Sequence, residues 1–329
     1  MNKTIQQAMD DFLENISLAR SENTARTYRN ALMAFSIVLE DHNLPAGKTP
    51  VDALSEDAIA WLAAGLKPYA PSTERLYLTA AAGFCEYLVA ERLASPNLPR
   101  MRMLIHQRAR KQGQRLPQFP RDNIETIVEY ANNLASTGSQ DDSEYLRNLR
   151  DRAFLITLAD TGLRVHEACA LRRGDIDWNE GKAVIIGKGD KQAVVRFSSR
   201  SLHALKDYIS ARAALDGGSG KPLTSLPIFA RHDRGAGKKT KPMTTTTGRN
   251  IVAQRLHEAV SDSADGTITP HSFRHYFVTT VLRASGGNLK LAQELARHQS
   301  ISVTQRYAHL SDDELDQGYS DIFDHFVDK

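Results

Sequence analysis

Cysteine is scarce in this chain: Cys85 and Cys169 are the only two among 329 residues. Both sit in apolar, helix-like surroundings, which reads as two buried thiols and excludes a disulfide-stapled scaffold or a cysteine-ligated metal. Long apolar runs are missing as well. No stretch approaches membrane-spanning length, and the first twenty residues carry Asp10, Asp11 and Glu14 among their apolar positions. That excludes a signal peptide and predicts a cytoplasmic chain with no membrane partner. A strong charge imbalance is also lacking. The formal net charge is only +3, so the sum alone makes no case for a polyanionic partner. What remains is an ordinary globular composition, 41% hydrophobic and 25% charged, with enough length for two domains that each bury a core.

The distribution of charge says more than its sum. Arg100, Arg102, Arg108, Arg110, Lys111 and Arg115 follow one another without an acidic residue, and Arg231, Arg234, Lys238, Lys239 and Lys241 are opposed by Asp233 alone. Local excesses of this kind suit a phosphate backbone, and they also suit two solvated loops. Ahead of the first cluster, apolar residues recur at helical spacing. Ile5, Ala8, Met9, Phe12, Leu13 and Ile16 predict one helix; Tyr28, Leu32, Phe35 and Leu39 predict another, capped by Asn23 or Thr24. Two more follow, from Ser55 to Ala64 and from Ser72 to Val89. Four helices with short connections predict a small all-α domain ending near Pro99. Arg108 to Pro120 is polar, basic and bounded by prolines, which predicts an extended linker.

The second half alternates helices with a few short strands. Helices are predicted from Asp122 to Leu134 and from Tyr145 to Asp160, the latter ended by Gly162, with Arg164 opening the next through Leu171. Asp175–Trp178, Ala183–Ile186 and Ala193–Phe197 predict a three-stranded antiparallel meander. Ser201 to Leu215 reads as helix, Asp216 to Thr247 as a long loop, and Arg249 to Val260 as helix. The stretch from Thr269 to Tyr307 is the richest in chemistry. Thr269 and Pro270 suit a helix start, placing His271 and Arg274 on one face of a first turn, whose free N–H groups favour an anion. A second helix from Leu289 to Arg297 carries His298 at its end, and Ser302 with Gln305 suits the start of a short helix that includes Tyr307. The i, i+4 pair His271 and His275 also has zinc-protease spacing. Ser272 stands where a general-base glutamate belongs, however, and Arg274 would put a cation between the ligands, so no metal and no cofactor is expected.

His271-x-x-Arg274, His298 and Tyr307, preceded by Thr161-Gly162-Leu163-Arg164-Val165-His166-Glu167 and by Ile186-Gly187-Lys188-Gly189-Asp190-Lys191, resemble the active-site motifs of the tyrosine recombinase (phage integrase) family. All six family positions occur in order, which makes the resemblance specific. It implies a mainly α protein with a small antiparallel β-sheet: an all-α, SAM-like core-binding domain over 1–107, a linker over 108–120, an α+β catalytic domain over 121–311 and a C-terminal helix over 312–329 that docks on a neighbouring protomer. It implies double-stranded DNA carrying inverted-repeat sites as the partner, a tetramer in the synaptic complex formed from free monomers, accessory DNA-bending or partner recombinase proteins, and a place in the nucleoid. The chain begins directly at the core-binding helices, so no additional arm-site domain is expected.

The same resemblance implies catalytic roles for Arg164, Lys188, His271, Arg274, His298 and Tyr307. A phenol near pKa ~10 must be relieved of its proton, and cationic neighbours favour the phenolate. Tyr307 is then the nucleophile and His271 the base or relay, while Arg164 and Arg274 fork the phosphate and His298 donates to it. Lys188 protonates the leaving 5′ oxygen, with Lys191 as its rival in the same turn. Glu167 and His275 support the site from behind. Arg26, Arg29, Arg75, Arg110, Lys111, Lys191, Lys239, Lys241, Arg249 and Arg297 are the candidate DNA contacts, with Arg20 and Lys67 beside them. Arg297 departs from the family, which has a small glycine before the histidine; it reads as an extra contact or an altered turn. A DNA-relaxing type IB topoisomerase and a non-catalytic DNA-binding regulator are the alternatives on the same residues.

Overall fold

The computed structural model describes residues 3–110, 121–135, 141–187, 192–233, 239–260, 268–305 and 307. Contacts divide the chain into two compact units, Met1–Arg115 and Leu116–Lys329. Lys111, Lys188, Lys191, most of the expected linker and the expected C-terminal helix lie outside the described residues.

The first unit is helical. α1 (Ile5–Ala19) starts at a capping box in which Thr4 accepts from the Gln7 N–H and Gln7 accepts from the Thr4 N–H. Its buried stripe is Ile5, Ala8, Met9 and Phe12, the spacing that one helix face requires. α2 (Glu22–Asp41) is capped by Ser21, which accepts from the Thr24 N–H, two residues earlier than the sequence suggested. α3 (Asp57–Gly65) and α4 (Pro71–Ala90) complete the expected four, with Pro71 in the first turn, where its missing N–H costs nothing. Phe12 and Phe84 meet with ring centroids 5.7 Å apart at the centre.

A fifth helix, α5 (Leu98–Arg108), corrects the expectation that the bundle ends near Pro99. Asn97 caps it by accepting from the Arg100 N–H, and Pro99 again sits in a first turn. Met101 and Leu104 are buried, a stripe too thin to stand out among the surrounding basic residues. The helix also takes up part of the first basic cluster. Arg100 pairs with Glu56 and Asp57 at 2.7 and 2.8 Å, and Arg102 with Glu86 at 2.8 Å. Glu74 is fully buried and is held by Lys67 at 2.8 Å and by Arg110 Nε at 2.5 Å. The Arg110 guanidinium also reaches the Tyr69 carbonyl. Arg110 and Lys67 are therefore engaged by their own unit, because a buried carboxylate needs a cation more than solvent does. Arg26, Arg29 and Arg75 remain exposed on helical surfaces.

The second unit is organised around α7 (Asp142–Thr161), against which α6 (Arg121–Asn133) packs. Phe154, Leu155, Ile156, Thr157 and Leu158 are consecutively buried, so α7 is covered all round and shows no polar face. Gly162 ends it in the left-handed conformation at φ +59°. α8 (Val165–Ala170) follows at once, with Arg164 as its N-cap residue. β1 (Ile176–Asp177), β2 (Lys182–Ile186) and β3 (Gln192–Arg196) form the expected antiparallel meander, with Ala183 opposite both Ile176 and Val195 on the core face. α9 (Ser199–Ala211) and α10 (Ala213–Gly217) come next.

The segment read as one long loop from Asp216 is tied down. The fully buried Arg212 donates to the carbonyls of Pro227 and Ile228 at 2.8 Å and pairs with Asp216 at 3.0 Å. α11 (Thr245–Ala259) is capped by Thr244 and fixed to α7 by Arg255, which donates to Asp151 and Asn148 at 2.7 Å. α12 (Pro270–Ala284), α13 (Leu289–Ala296) and α14 (Ile301–Gln305) finish the described fold, α12 lying against α7 and α13.

A Cβ built on Gly162 would stand 2.5 Å from Cδ1 of Phe277, at a backbone angle L side chains avoid. Gly162→Ala is therefore expected to destabilise the second unit by about 2 kcal/mol or more, measured by chemical denaturation. An unchanged midpoint would show that the turn has another solution.

Candidate active site

Five of the six expected catalytic residues come from one bend and three helices. Arg164 stands between α7 and α8, His271 and Arg274 on the first turns of α12, His298 just past α13, and Tyr307 just past α14. Their placement follows from local signals. Ser272 Oγ accepts from the Thr269 N–H at 3.1 Å and Pro270 occupies the first turn, so α12 begins where His271 and Arg274 share a face. Asn288 caps α13 by accepting from the Leu291 N–H. Arg297 ends it in the left-handed conformation at φ +58°.

The arginines form a buried cluster around few acceptors. Arg274 is only 2% exposed. It donates to the Gly162 carbonyl at 2.6 Å and to the Ala296 carbonyl, joining α7, α12 and α13. Arg164 is partly open to solvent and donates from Nη1 to Glu167 at 2.8 Å, while its N–H reaches the other oxygen of that carboxylate at 2.9 Å. Asp160, at the end of α7, is taken by Arg200 and Ser198. Burial opposes ionisation of Glu167, yet the Arg164 N–H and the charges of Arg297 and Arg164 hold its carboxyl below the usual range. Burial, then the like charges of Arg164 and Arg297, bring Arg274 down to about 10. The pocket thus holds more positive charge than its one carboxylate balances.

The imidazoles and the phenol stack beside this cluster. The Tyr307 hydroxyl lies 3.2 Å from Nε2 of His275, with the two rings perpendicular and their centroids 4.7 Å apart. His271 is edge-on to His275 at 4.5 Å, and His298 is nearly parallel to Tyr307 at 6.1 Å. Nδ1 of His298 is 2.9 Å from the hydroxyl of Thr304, which is fully buried. Burial first, then cationic neighbours, lower all three histidines. His275 and His298 fall to about 4, and His271, at the exposed rim, is lowered in the same direction. All three rings are therefore neutral at physiological pH, able to accept or relay a proton.

Several participants were not apparent from the chain. His275 was expected beneath the site as support, and it is the ring beside the phenol. Thr304, which orients His298, and the carbonyls of Gly162 and Ala296, which hold Arg274, carry no motif. Arg297, expected as a DNA contact, points inward: its side chain is 10% exposed and donates to Glu167 at 3.2 Å. Lys239, Lys241 and Arg249 are exposed on the same unit.

The two histidines near 4 set a sign. Unfolded histidine binds its proton near ~6.5, so in the window between 6.5 and 4 the unfolded chain holds more protons than the folded one. The stability contributed by these neutral rings is complete above pH 6.5 and is lost as pH falls toward 4. Unfolding midpoints should drop across that interval, and the drop should shrink in His298→Gln. An identical pH slope in the variant would count against the assignment.

Comparison with known proteins identifies the family. The family model described as the phage integrase family matches residues 118–314. The chain is 30% identical to the tyrosine recombinase XerC of Alcanivorax borkumensis over 318 residues, 95% of this chain and 92% of that one. It is 34% identical to XerC of Pelobacter propionicus over 209 residues, 64% of this chain and 61% of that relative's length. Among solved structures, the XerH site-specific recombinase bound to palindromic difH substrate shares the fold, with a TM-score of 0.67 at 18% identity, covering 91% of this chain and 80% of that one. The chain belongs to the phage integrase family.

Proposed function

We propose that this chain is a site-specific DNA recombinase that breaks and rejoins strands through a 3′-phosphotyrosyl link to Tyr307. One observation carries the reading: two arginines, three neutral imidazoles and a phenol, drawn from segments more than a hundred residues apart, meet in one pocket with excess positive charge.

The chemistry follows from those groups. The Tyr307 oxygen attacks phosphorus, a new P–O bond forms, and the bond to the 5′ oxygen breaks. The phenolic proton passes to the His275 and His271 pair, His275 being the nearer at 3.2 Å. Arg164 and Arg274 hold the nonbridging oxygens, and their charge acts most strongly on the doubly charged phosphorane. His298, oriented by Thr304, donates to the same phosphate. Lys188 protonates the departing oxygen, a role that rests on its Gly-Lys-Gly setting in the hairpin. The phosphotyrosyl bond retains the energy of the phosphodiester, so a second 5′ hydroxyl can reseal the strand without ATP.

Several relatives support the partner. XerH is bound to a DNA substrate, and a lambda integrase dimer is bound to a core site. By the same reading this chain acts on double-stranded DNA with inverted repeats. Monomers assemble as a tetramer on two sites, the 312–329 segment docking on a neighbouring protomer, with accessory DNA-bending or partner recombinase proteins beside them. It works in the cytoplasm at the nucleoid, for integration, excision, resolution or inversion. No helix among the described residues is long and apolar enough to cross a membrane.

The test is covalent trapping on nicked duplexes built from the inverted repeats beside the coding region. Wild type should form a denaturant-resistant adduct, Tyr307→Phe none, and Arg274→Ala less by about a hundredfold or more. Adduct formation by Tyr307→Phe would remove the assignment.

A further inference from the structure

Arg297 is unusual in three independent ways. It takes a left-handed backbone, φ +58°, at the end of α13, a position where glycine is the unstrained choice. Its side chain is nine-tenths buried, although an arginine at a helix end can normally reach water. And its Nε and Nη1 are buried with no acceptor among the described residues. A chain that accepts backbone strain, desolvation and unused donors at one residue is using it for something.

The contacts it does make are the acceptors of the two phosphate-facing arginines. Nη2 of Arg297 donates to Oε2 of Glu167 at 3.2 Å, the carboxylate that Arg164 holds through Oε1. The same nitrogen lies 3.4 Å from the Gly162 carbonyl, which Arg274 holds at 2.6 Å. Arg297 therefore stands behind both, sharing each one's partner. When a phosphate draws Arg164 toward it, Glu167 would be left as a buried, under-compensated carboxylate, a costly state. A cation already in place on its other oxygen removes that cost.

Resting on the recombinase reading above, we propose that Arg297 is a positioning residue: a standby counter-ion that keeps Glu167 satisfied when Arg164 turns its donors to the scissile phosphate, while Arg274 keeps its hold on the Gly162 carbonyl. It acts through its neighbours and makes no DNA contact of its own.

Three substitutions separate the possibilities. Arg297→Met and Arg297→Lys keep the same backbone strain and differ in charge; Arg297→Gly removes the strain and serves in place of Arg297→Met should that variant fail to fold. With saturating protein on a nicked site, single-turnover adduct formation by Arg297→Met should slow about tenfold or more, and Arg297→Lys should stay within about threefold of wild type. Duplex affinity should change by less than about threefold throughout, since no phosphate contact is lost. In a Glu167→Gln background, Arg297→Met should cost little more, because the charge it balances is gone. A wild-type rate in Arg297→Met, an Arg297→Lys as slow as Arg297→Met, additive effects with Glu167→Gln, or a loss confined to DNA affinity would each overturn the proposal. Failure of wild type itself to form adduct would instead remove the recombinase reading.

Discussion

Like charges do not gather in a protein interior unless something holds each one. In the second unit that constraint falls on Arg274, which is 2% exposed and pairs with no carboxylate among the described residues. Two main-chain carbonyls hold it, one from the bend after α7 and one from the last turn of α13. Those elements must therefore meet, and the rest of the catalytic unit is arranged to let them. α7 is buried on every side over its last three turns, Gly162 turns the chain tightly enough to expose its carbonyl, and α13 closes over α12 through Val278, Leu282, Ala292 and Ala296. Tyr307 packs on that last small cluster. The position of Tyr307 thus depends on the same contact that fixes the arginine.

Charge balance explains the imidazoles as well. A partly buried ring loses its proton easily, and neighbouring guanidinium groups add to the effect. His275 and His298 are brought to about 4 by burial first, with Arg274 adding to it in both and Arg164 in His298. A pocket with the excess positive charge to hold an anion is by the same physics one that keeps its imidazoles neutral. In the first unit the logic is inverted: a buried carboxylate, Glu74, draws in Lys67 and Arg110. Basic residues that look alike along the chain serve opposite ends in the two units.

Much of this was legible because it is local. Thr269 with Pro270, Gly162 after α7, the strand alternation around Ala183 and the apolar spacing of α1 are short-range signals, and each led to the element found. The motif residues were legible as well, since the spacing of His271 and Arg274 fixes a shared helical face. What escaped was set by tertiary contact. α5 was hidden because Met101 and Leu104 are its only buried side chains and Arg100, Arg102 and Arg108 interrupt the apolar pattern. The loop after Asp216 concealed an anchor, since nothing in its composition announces the buried Arg212–Asp216 pair. Arg297 could be seen to be unusual, but whether it faced DNA or the protein depended on Glu167, 130 residues away.

One consequence follows from the Gly162 carbonyl. It is an end-of-helix acceptor that no N–H of α7 can fill, and the guanidinium of Arg274 fills it. The residue proposed to hold the phosphate is thus also a fastening of the scaffold, and on that reading the two duties cannot be inherited separately. A lineage that gave up cutting DNA while keeping this architecture could discard the phenol, which rests partly exposed beyond the last short helix. It would be obliged to keep the arginine, so persistence of that side chain among silent relatives would testify to architecture and not to catalysis.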